Sequence, residues 1–361
     1  MKKYNVAVVG VGAVGIEMLR VLRQRNFPVG ELRVFARSAR DIEVDGQKYS
    51  VQAISPEGFA GIDIALFAGT EGEKGAAVTY AQEAIKRGAV VIDNGADFRM
   101  DPKVPLVVPE VNTKDVNPIR KWLLAKKHRP EGRGLASDSQ SHKGIIANPN
   151  CSTIQMVAAL WPIYKKAGIK RVVVTTLQAS SGAGKSAVEQ LKQENQAIAN
   201  GGYQNVQVSG IEKSMPQQLA YNVFPHIGGF ADSDYTSEEW KLVRETHKIM
   251  HDDKIKISAT CVRVPVRTGH SEAIYLETEK PLEPEKVKDI LSKSPGIVVI
   301  DDPKGNLDPL PKDVEGRDET FVGRIRRDPF VKNGLWLWVV ADNLRKGAAT
   351  NAIQIAEELI R

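Results

Sequence analysis

The chain has 361 residues, a formal net charge of +6 and two cysteines. This length exceeds what one ordinary hydrophobic core organises, so it predicts two domains. Two cysteines exclude a disulfide framework, and the first residues, MKKYNVAVVG, show neither a long apolar region nor a small-residue cleavage site. Because no run of about 18 apolar residues occurs, the sequence predicts a soluble cytoplasmic protein without a membrane partner.

The positive charge is concentrated in one segment. Between Arg120 and Arg133, six basic residues accompany a single acid, Glu131, so this stretch alone carries +5. The segment from about Arg120 to His142 shows little periodicity, which favours an exposed, solvated loop insertion over a binding patch. We therefore expect no nucleic-acid partner.

In the first part of the chain, short β-branched runs alternate with helical stretches. They are, in order, YNVAVVG, VGIEMLRVLRQR, LRVFA, DIALFAG, AAVTYAQEAIKRG and AVVIDNGA. Strands separated by helices of about 10 to 15 residues predict βαβ units. Residues 1–150 are therefore predicted to form an α/β domain with a Rossmann-type parallel sheet.

The sequence changes character after residue 150, where strand-like runs dominate. These runs are RVVVTTLQA, ISATCVRVPV, SEAIYLETE, GIVVID, TFVGRIRRD and LWLWVVADN, with helical stretches near 186–199, 237–251 and 282–292. This order predicts an α+β catalytic and dimerisation domain over 151–342, with a large mixed, mostly antiparallel sheet. The last stretch has one apolar helical face, so residues 343–361 are predicted to return to the first domain.

The first predicted strand leads into a glycine-rich turn, Gly10-Val11-Gly12-Ala13-Val14-Gly15. A strand precedes this G-x-G-x-x-G sequence, a helix follows it, and a second strand closes the βαβ unit. The glycines permit a tight turn and close approach of a pyrophosphate, and the helix N-terminus supplies N–H donors. Gly10, Gly12, Ala13, Val14 and Gly15 are therefore predicted to bind a dinucleotide.

The end of the second predicted strand bears on the choice of dinucleotide. NAD sites usually carry an acidic residue there, whereas this strand ends in Phe35-Ala36-Arg37-Ser38-Ala39-Arg40. A guanidinium and a hydroxyl suit a 2′-phosphate, so Arg37 and Ser38 predict NADP. The alternative is that Arg37 and Arg40 are ordinary turn residues.

A second glycine-rich segment, ASSGAGKS at 179–186, nearly matches the phosphate-binding P-loop. Ala179 stands where that motif has its first glycine. We interpret the segment as a strand-to-helix turn that meets the far end of the dinucleotide.

Cys151 follows an Asn-Pro-Asn turn at the start of a predicted helix. Asn150 is a candidate N-cap, and a helix N-terminus favours a thiolate over a thiol. Pro162 lies deep in the helical run and predicts a kink or an early end. From these residues alone, a reactive nucleophile and a buried structural thiol remain equally open.

A cysteine nucleophile combined with a nicotinamide cofactor indicates attack on an acyl carbon or an aldehyde, followed by hydride exchange. This chemistry needs a proton shuttle. His270 follows one strand-like run and opens another, whereas the other five histidines lie in predicted loops or on a charged helix. From its position alone, however, a lone histidine at a strand junction is more often structural than catalytic.

Eight sequence motifs occur in a fixed order along the chain. They are GxGxxG at Gly10, ARS at 36–38, DNGADFR at 93–99, ANPNCST at 147–153, LQASSGAG at 177–184, EEWK at 238–241, CVR at 261–263 with His270 seven positions later, and DNLRKGAA at 342–349. Over nearly its whole length the chain thus resembles the aspartate-β-semialdehyde dehydrogenase family. The resemblance implies NADPH-dependent reduction of β-aspartyl phosphate to aspartate semialdehyde and phosphate, towards lysine, methionine and threonine. It also implies a homodimer or homotetramer formed through the sheet of the second domain, and no metal.

The resemblance implies catalytic roles for three residues. Cys151 would attack the acyl phosphate and displace phosphate, and hydride would reduce the resulting thioester to a thiohemiacetal. His270 would act as acid and base, and Gln178 would orient the intermediate. Cys261, in contrast, is predicted to be a packed hydrophobe.

The resemblance also implies the binding residues. Arg263 would hold the substrate α-carboxylate and Glu238 the α-ammonium group. The implied phosphate-binding residues are Arg99, Asn150 and Lys241, and the residues implied near the nicotinamide are Ser181, Gly182 and Asn343. Without the resemblance, the spacing of Glu238 and Lys241 favours an i,i+3 surface ion pair.

Two other functions compete with this one. The first is another phosphorylating acyl-phosphate reductase, acting on N-acetyl-glutamyl phosphate or glyceraldehyde 3-phosphate. The EEWK helix together with Arg263 favours a substrate that carries free amino and carboxylate groups. The second is an inactive paralogue with a regulatory or scaffolding role, which the joint presence of Cys151, Gln178, Arg263 and His270 disfavours.

Overall fold

The computed structural model describes residues 2–69, 75–125, 144–201, 215 and 217–361. The chain divides into two compact units. Unit 1 comprises Met1–Asn150 and Ala348–Arg361, and unit 2 comprises Cys151–Gly347. Within the described ranges, no helix combines the length and the apolar character needed to cross a membrane.

Strands and helices alternate along most of the chain. The strands are β1 (Tyr4–Val9), β2 (Val29–Ala36), β3 (Arg40–Val44), β4 (Gln47–Ala53), β5 (Ile64–Phe67), β6 (Val90–Asp93), β7 (Ile145–Ala147), β8 (Ile169–Gln178), β9 (Lys256–Arg263), β10 (His270–Thr278), β11 (Ile297–Val299), β12 (Thr320–Arg327) and β13 (Gly334–Ala341). The α-helices are α1 (Ala13–Gln24), α2 (Ala76–Lys86), α3 (Pro109–Asn112), α4 (Asn117–Ala125), α5 (Cys151–Ala167), α6 (Lys185–Ala199), α7 (Ser237–Met250), α8 (Pro284–Ser292), α9 (Pro311–Val314) and α10 (Thr350–Ile360).

Unit 1 is built on a sheet whose described strands run in the order β3-β4-β2-β1-β5-β6-β7. Every neighbouring pair is parallel except β3 with β4. The strand β1 lies in the middle, so the turn that follows it opens at the carboxyl edge of the sheet. This confirms the predicted Rossmann-type sheet.

The last helix, α10, completes the core of unit 1. Ile353, Ile355 and Leu359 are fully buried and pack in one cluster with residues of α1 and the central strands. Arg25 at the end of α1 also pairs with Glu357, at 2.7 Å between Nη2 and Oε2. The apolar face of this helix is therefore used within unit 1.

The sequence reasoning missed several elements of unit 1, among them a hairpin and a helix. The antiparallel hairpin of β3 and β4 turns at Asp45-Gly46, a dipeptide that favours tight hairpins. Residues 120–125, predicted to begin a loop, belong instead to α4, because Ile119 and Leu123 lie one turn apart and are buried. The rest of the basic segment, residues 126–143, lies outside the described residues.

Unit 2 is built on a sheet with strand order β11-β12-β13-β10-β8-β9. Strands β8 and β9, and β11 and β12, pair in parallel, while the other three pairs are antiparallel. This confirms a mixed, mostly antiparallel sheet. Helix α5 packs against β10 and β13 and against α7 and α8.

Helix α5 begins at Cys151, as predicted, but it does not end early at Pro162. It continues to Ala167 with the proline inside. Eleven of its 17 residues are buried. This packing offsets the roughly 3 kcal/mol that an interior proline costs a helix.

Candidate active site

The glycine-rich turn of unit 1 allows a ligand to approach its backbone closely. Gly10 has φ of +100°, and a Cβ built on Gly15 would lie 1.9 Å from the Gly10 carbonyl oxygen. A Cβ on Gly12 would meet no atom within 4 Å, so the space in front of α1 is open. The N-cap residue, Gly12, has no side chain to cap this helix, which leaves its first N–H groups available to an anion.

A cavity of about 780 Å³ opens beside this turn. It is lined by Gly10 and Gly12, by Arg37 and Ser38 with Arg40 after β2, and by Thr79 and Tyr80 on α2, which the sequence analysis did not identify. Ala13, Val14 and Gly15 lie in the first turn of α1, outside the lining residues. The volume, the uncapped helix and the two exposed guanidinium groups fit a dinucleotide with an extra phosphate.

Arg99 and Asn150 lie at the end of unit 1 from which α5 emerges. Arg99 is buried, and its guanidinium donates to the carbonyl oxygens of Asn148, at 3.0 Å, and Asn94, at 2.7 Å. The Asn148 amide is fixed in turn by Asn94 and Asn351. The segment that precedes Cys151 is therefore held rigidly, with Arg99 against it.

Cys151 is partly exposed at the first position of α5. A Cβ built on Gly347 would lie 3.0 Å from the Cys151 Cβ. A side chain at position 347 would therefore crowd the thiol, a constraint that the sequence analysis did not identify. The motif DNLRKGAA contains this glycine, but the sequence does not show that position 347 lies against Cys151, so the need for a glycine could not be predicted.

His270 is fully buried at the first position of β10, as its place in the sequence predicted. Its Nδ1 accepts the N–H of Ala179 at 3.0 Å, which places the imidazole proton on Nε2. Among the described residues Nε2 has no hydrogen-bond partner. Burial, and secondarily the charge of Arg263, lower the pKa of His270 well below its usual value, so the ring is neutral.

Arg263 ends β9 beside Gln178, which ends the parallel strand β8. The guanidinium is buried and donates to the Ala179 carbonyl at 2.7 Å. A Cβ on Gly182 would lie 2.9 Å from Arg263 Nη1 and 3.0 Å from His270 Nε2. The two functional groups therefore converge over Gly182, and only a glycine there leaves them room.

Glu238, near the start of α7, faces this same group. Its Oε1 accepts from Gln178 at 3.2 Å, and its Oε2 accepts from Lys241 Nζ at 3.3 Å. The i,i+3 ion pair therefore exists, but Glu238 is only 7% exposed, so it is no ordinary surface pair. The contact with Gln178 joins Glu238 to the residues beside Arg263.

The next residue, Glu239, anchors α7. Its carboxylate accepts the N–H of Thr236 at 2.8 Å and the N–H of Cys261 at 3.0 Å. The first bond is part of a capping box, and the second ties the helix to the edge strand β9. Cys261 is fully buried, which confirms its packed environment, and burial strongly raises the pKa of its thiol.

Ser181, Gly182 and Asn343 lie together in unit 2. A 3₁₀ turn over Ser180–Ala183 carries the first two. Asn343 Nδ2 donates to Ser181 Oγ at 2.9 Å, and its Oδ1 accepts the N–H of Gly269 at 2.9 Å. This loop is thus fixed next to His270.

Unit 2 brings together the predicted catalytic residues and most of the predicted substrate-binding ones. Arg99, Asn150 and the dinucleotide turn belong to unit 1. Gln155 and Glu272 are two further buried polar side chains of unit 2 that the sequence analysis did not identify. Over the described part of the chain, no group of three or more His, Cys, Asp or Glu side chains could hold a metal ion.

Comparison with known proteins identifies the family. Residues 5–119 match the family model "Semialdehyde dehydrogenase, NAD binding domain", and residues 160–346 match "Semialdehyde dehydrogenase, dimerisation domain". The aspartate-semialdehyde dehydrogenase of Aquifex aeolicus (strain VF5) is 51% identical over 364 residues, covering 99% of this chain and 98% of its own length.

Solved structures agree with these matches. The crystal structure of aspartate semialdehyde dehydrogenase II complexed with ASA from Vibrio cholerae has a TM-score of 0.87 at 42% identity, covering 100% of this chain and 99% of its own. The Candida albicans aspartate semialdehyde dehydrogenase structure with NADP has a TM-score of 0.70 at 25% identity, with 99% of both chains covered. The chain therefore belongs to the aspartate-semialdehyde dehydrogenase family.

Proposed function

We propose that the protein catalyses the reversible, NADPH-dependent reductive dephosphorylation of β-aspartyl phosphate to aspartate β-semialdehyde and phosphate, in lysine, methionine and threonine biosynthesis. The convergence of Arg263 and His270 over Gly182 carries this proposal. A buried cation beside a buried carboxylate, Glu238, suits a ligand that bears both an α-carboxylate and an α-ammonium group. The family membership of the chain supports the same substrate.

In the proposed reaction the Cys151 thiolate attacks the acyl carbon, and the carbon–oxygen bond to phosphate breaks. The start of α5 stabilises the thiolate, because the dipole of a helix favours negative charge at its N-terminus. Arg99, Asn150 and Lys241 would bind the phosphate group that leaves. Gln178, which the Glu238 carboxylate holds, would orient the thioester.

His270 is proposed to act as acid and base through Nε2. This atom carries the ring proton and points towards Gly182, whereas Nδ1 is occupied by the Ala179 N–H. Nε2–H can therefore stabilise negative charge that develops on the oxygen of the tetrahedral adduct. Proton exchange at the same nitrogen would require the ring to pass through its doubly protonated form, in which a proton on Nδ1 replaces the contact with the Ala179 N–H.

The cofactor proposed is NADP, which when bound as NADPH supplies the hydride that reduces the thioester. Gly10, Gly12 and the first turn of α1, with Ala13, Val14 and Gly15, would hold the pyrophosphate. Arg37 and Ser38 would bind the 2′-phosphate, and Ser181, Gly182 and Asn343 would bind the nicotinamide end. The exposed Arg37 guanidinium in the cavity wall supports NADP over NAD.

The proposal extends to assembly and location. Unit 2 matches a dimerisation-domain model, which supports a homodimer, or a homotetramer, formed through its sheet. The presence of only two cysteines, both free, supports a reducing compartment such as the cytoplasm.

The reverse reaction tests the substrate assignment. We expect aspartate semialdehyde to reduce NADP only when phosphate is present, followed as the rise in NADPH absorbance. N-acetyl-glutamate semialdehyde is the matched comparison, because its amino group cannot pair with Glu238. Turnover of the acetylated substrate without turnover of aspartate semialdehyde would overturn the assignment.

Arg37→Ala tests the cofactor assignment. Loss of a charged hydrogen-bond donor to the 2′-phosphate should raise the KM for NADPH about 10-fold or more while leaving the KM for NADH unchanged. Arg23→Ala is the matched control, since Arg23 is an exposed arginine of unit 1 that pairs with Asp45 instead. Equal effects of Arg37→Ala on the two cofactors would contradict a 2′-phosphate site.

A further inference from the structure

A fully buried carboxyl group lies next to His270. Glu272 is two residues further along β10, so its side chain projects from the same face of the strand. The residue is 0% exposed, and neither carboxyl oxygen has a hydrogen-bond partner among the described residues. An ionised carboxylate in such a place would be very costly, so a neutral carboxylic acid is the stable form.

A second buried polar side chain, the Gln155 amide, lies near this acid. Gln155 is on α5, four residues after Cys151 and therefore on the same helical face. Its Nε2 donates to the His270 carbonyl oxygen at 3.3 Å, which fixes the orientation of the amide. Its Oε1 has no partner within the described ranges. Burial raises the pKa of Glu272, and the contact with Gln155 lowers this pKa by a smaller amount.

We propose that Glu272 is a positioning residue which, as a neutral acid, donates its O–H to Gln155 Oε1 and so holds Gln155 against the His270 backbone. This pairing uses the one donor of the acid and the one free acceptor of the amide. An ionised carboxylate has no proton to donate, so Gln155 Oε1 would stay unsatisfied. Burial also raises the pKa of Glu272 well above its usual value, in agreement with a neutral group.

This pairing bears on the distance between the nucleophile, Cys151, and the acid/base, His270. Glu272, Gln155 and the His270 carbonyl form a chain that joins α5, which begins with Cys151, to β10, which begins with His270. The Ala179 N–H fixes the ring from its other side. The inference rests on the proposed acid/base role of His270, and it assigns to Glu272 and Gln155 the task of holding that ring in place.

Two substitutions distinguish a neutral Glu272 that donates a hydrogen bond from an ionised Glu272 and from a residue without a positioning role. Glu272→Gln keeps an N–H donor for Gln155, so we expect kcat close to that of the wild type. Glu272→Leu removes the donor, so kcat should fall about 10-fold or more with little change in KM, since a small displacement of a catalytic group affects the rate steeply. Glu277→Leu, which removes a partly exposed carboxylate of the same strand, is the matched control and should leave kcat unchanged.

Infrared difference spectroscopy tests the protonation state without turnover. The wild-type spectrum minus the Glu272→Gln spectrum, at neutral pH, should contain the C=O stretching band of a protonated carboxyl group. Carboxylate bands in its place would overturn the proposal, and so would a Glu272→Gln variant as impaired as Glu272→Leu, because both mean that the charge is required. A Glu272→Leu variant with wild-type kcat would also overturn it.

The infrared result is independent of the substrate assignment. If wild-type protein fails to turn over aspartate semialdehyde, the proposed function fails, yet the infrared band still reports whether Glu272 is neutral. If turnover occurs and the band is absent, only the positioning role fails. Circular dichroism of each variant establishes that the rate changes occur in folded protein.

Discussion

Cys151→Ala is expected to reduce kcat for phosphate-dependent NADP reduction by about 10⁴-fold or more, since no other group can form the thioester. Alanine is a good helix former, and Cys151 is partly exposed at the first position of α5, so the fold should persist. The same assay that tests the substrate measures this loss, and a thermal melt establishes that the variant is folded.

Cys261→Ala provides the control for this substitution. Cys261 is fully buried on β9, and burial strongly raises its pKa, so its thiol is neither accessible nor ionised. We expect wild-type kcat with a modest loss of stability, of about 1 kcal/mol, from the small cavity. A loss of activity as deep as that of Cys151→Ala would contradict the assignment of the nucleophile.

His270→Asn is expected to reduce kcat by about 10²-fold to 10⁴-fold, the usual contribution of a general acid or base. The asparagine oxygen can take the place of Nδ1 and accept the Ala179 N–H, so the loop should stay in position. The substitution therefore keeps the acceptor at the position of Nδ1 and removes only the N–H group at the position of Nε2. Steady-state kinetics of the reverse reaction measure the loss, and the KM for aspartate semialdehyde should change far less than kcat.

His270→Gln is the complementary variant, because its amide nitrogen can occupy the place of Nε2 but cannot transfer a proton. Acid/base catalysis predicts that it is as slow as His270→Asn, whereas recovery to near wild-type rates would show that hydrogen-bond donation is sufficient. Wild-type kcat for His270→Asn would refute the catalytic role altogether. His226→Asn, in a surface loop, is a control that should retain full activity.

Features that depend on neighbouring residues could be predicted from the sequence. The turn from Gly10 to Gly15, the start of α5 at Cys151 and the start of β10 at His270 each have a local pattern that specifies a conformation. The order of strands and helices along the chain is also a local feature. It predicted a parallel sheet in the first domain and a mixed, mostly antiparallel sheet in the second, and the sheet of unit 2 is mixed as predicted. The DG turn of the β3–β4 hairpin was an equally local signal, but it was overlooked.

Features that depend on distant pairing could not be predicted. Glu272 has no unusual neighbours in the sequence, and it is buried because β10 pairs with β8 on one side and β13 on the other. Gln155 is an ordinary helical residue until α5 is packed against that sheet. In α4, the high density of basic residues masked the i,i+4 spacing of Ile119 and Leu123, so a helix was interpreted as a loop.

The division of unit 1 between the two ends of the chain has a consequence for biosynthesis. During translation, residues 1–150 leave the ribosome long before α10, whose Ile353, Ile355 and Leu359 fill the core of that unit. All of unit 2 is synthesised in between as one continuous segment. We therefore expect the nascent chain to complete unit 2 first and the dinucleotide-binding unit last, the reverse of the usual N-to-C order of domain folding.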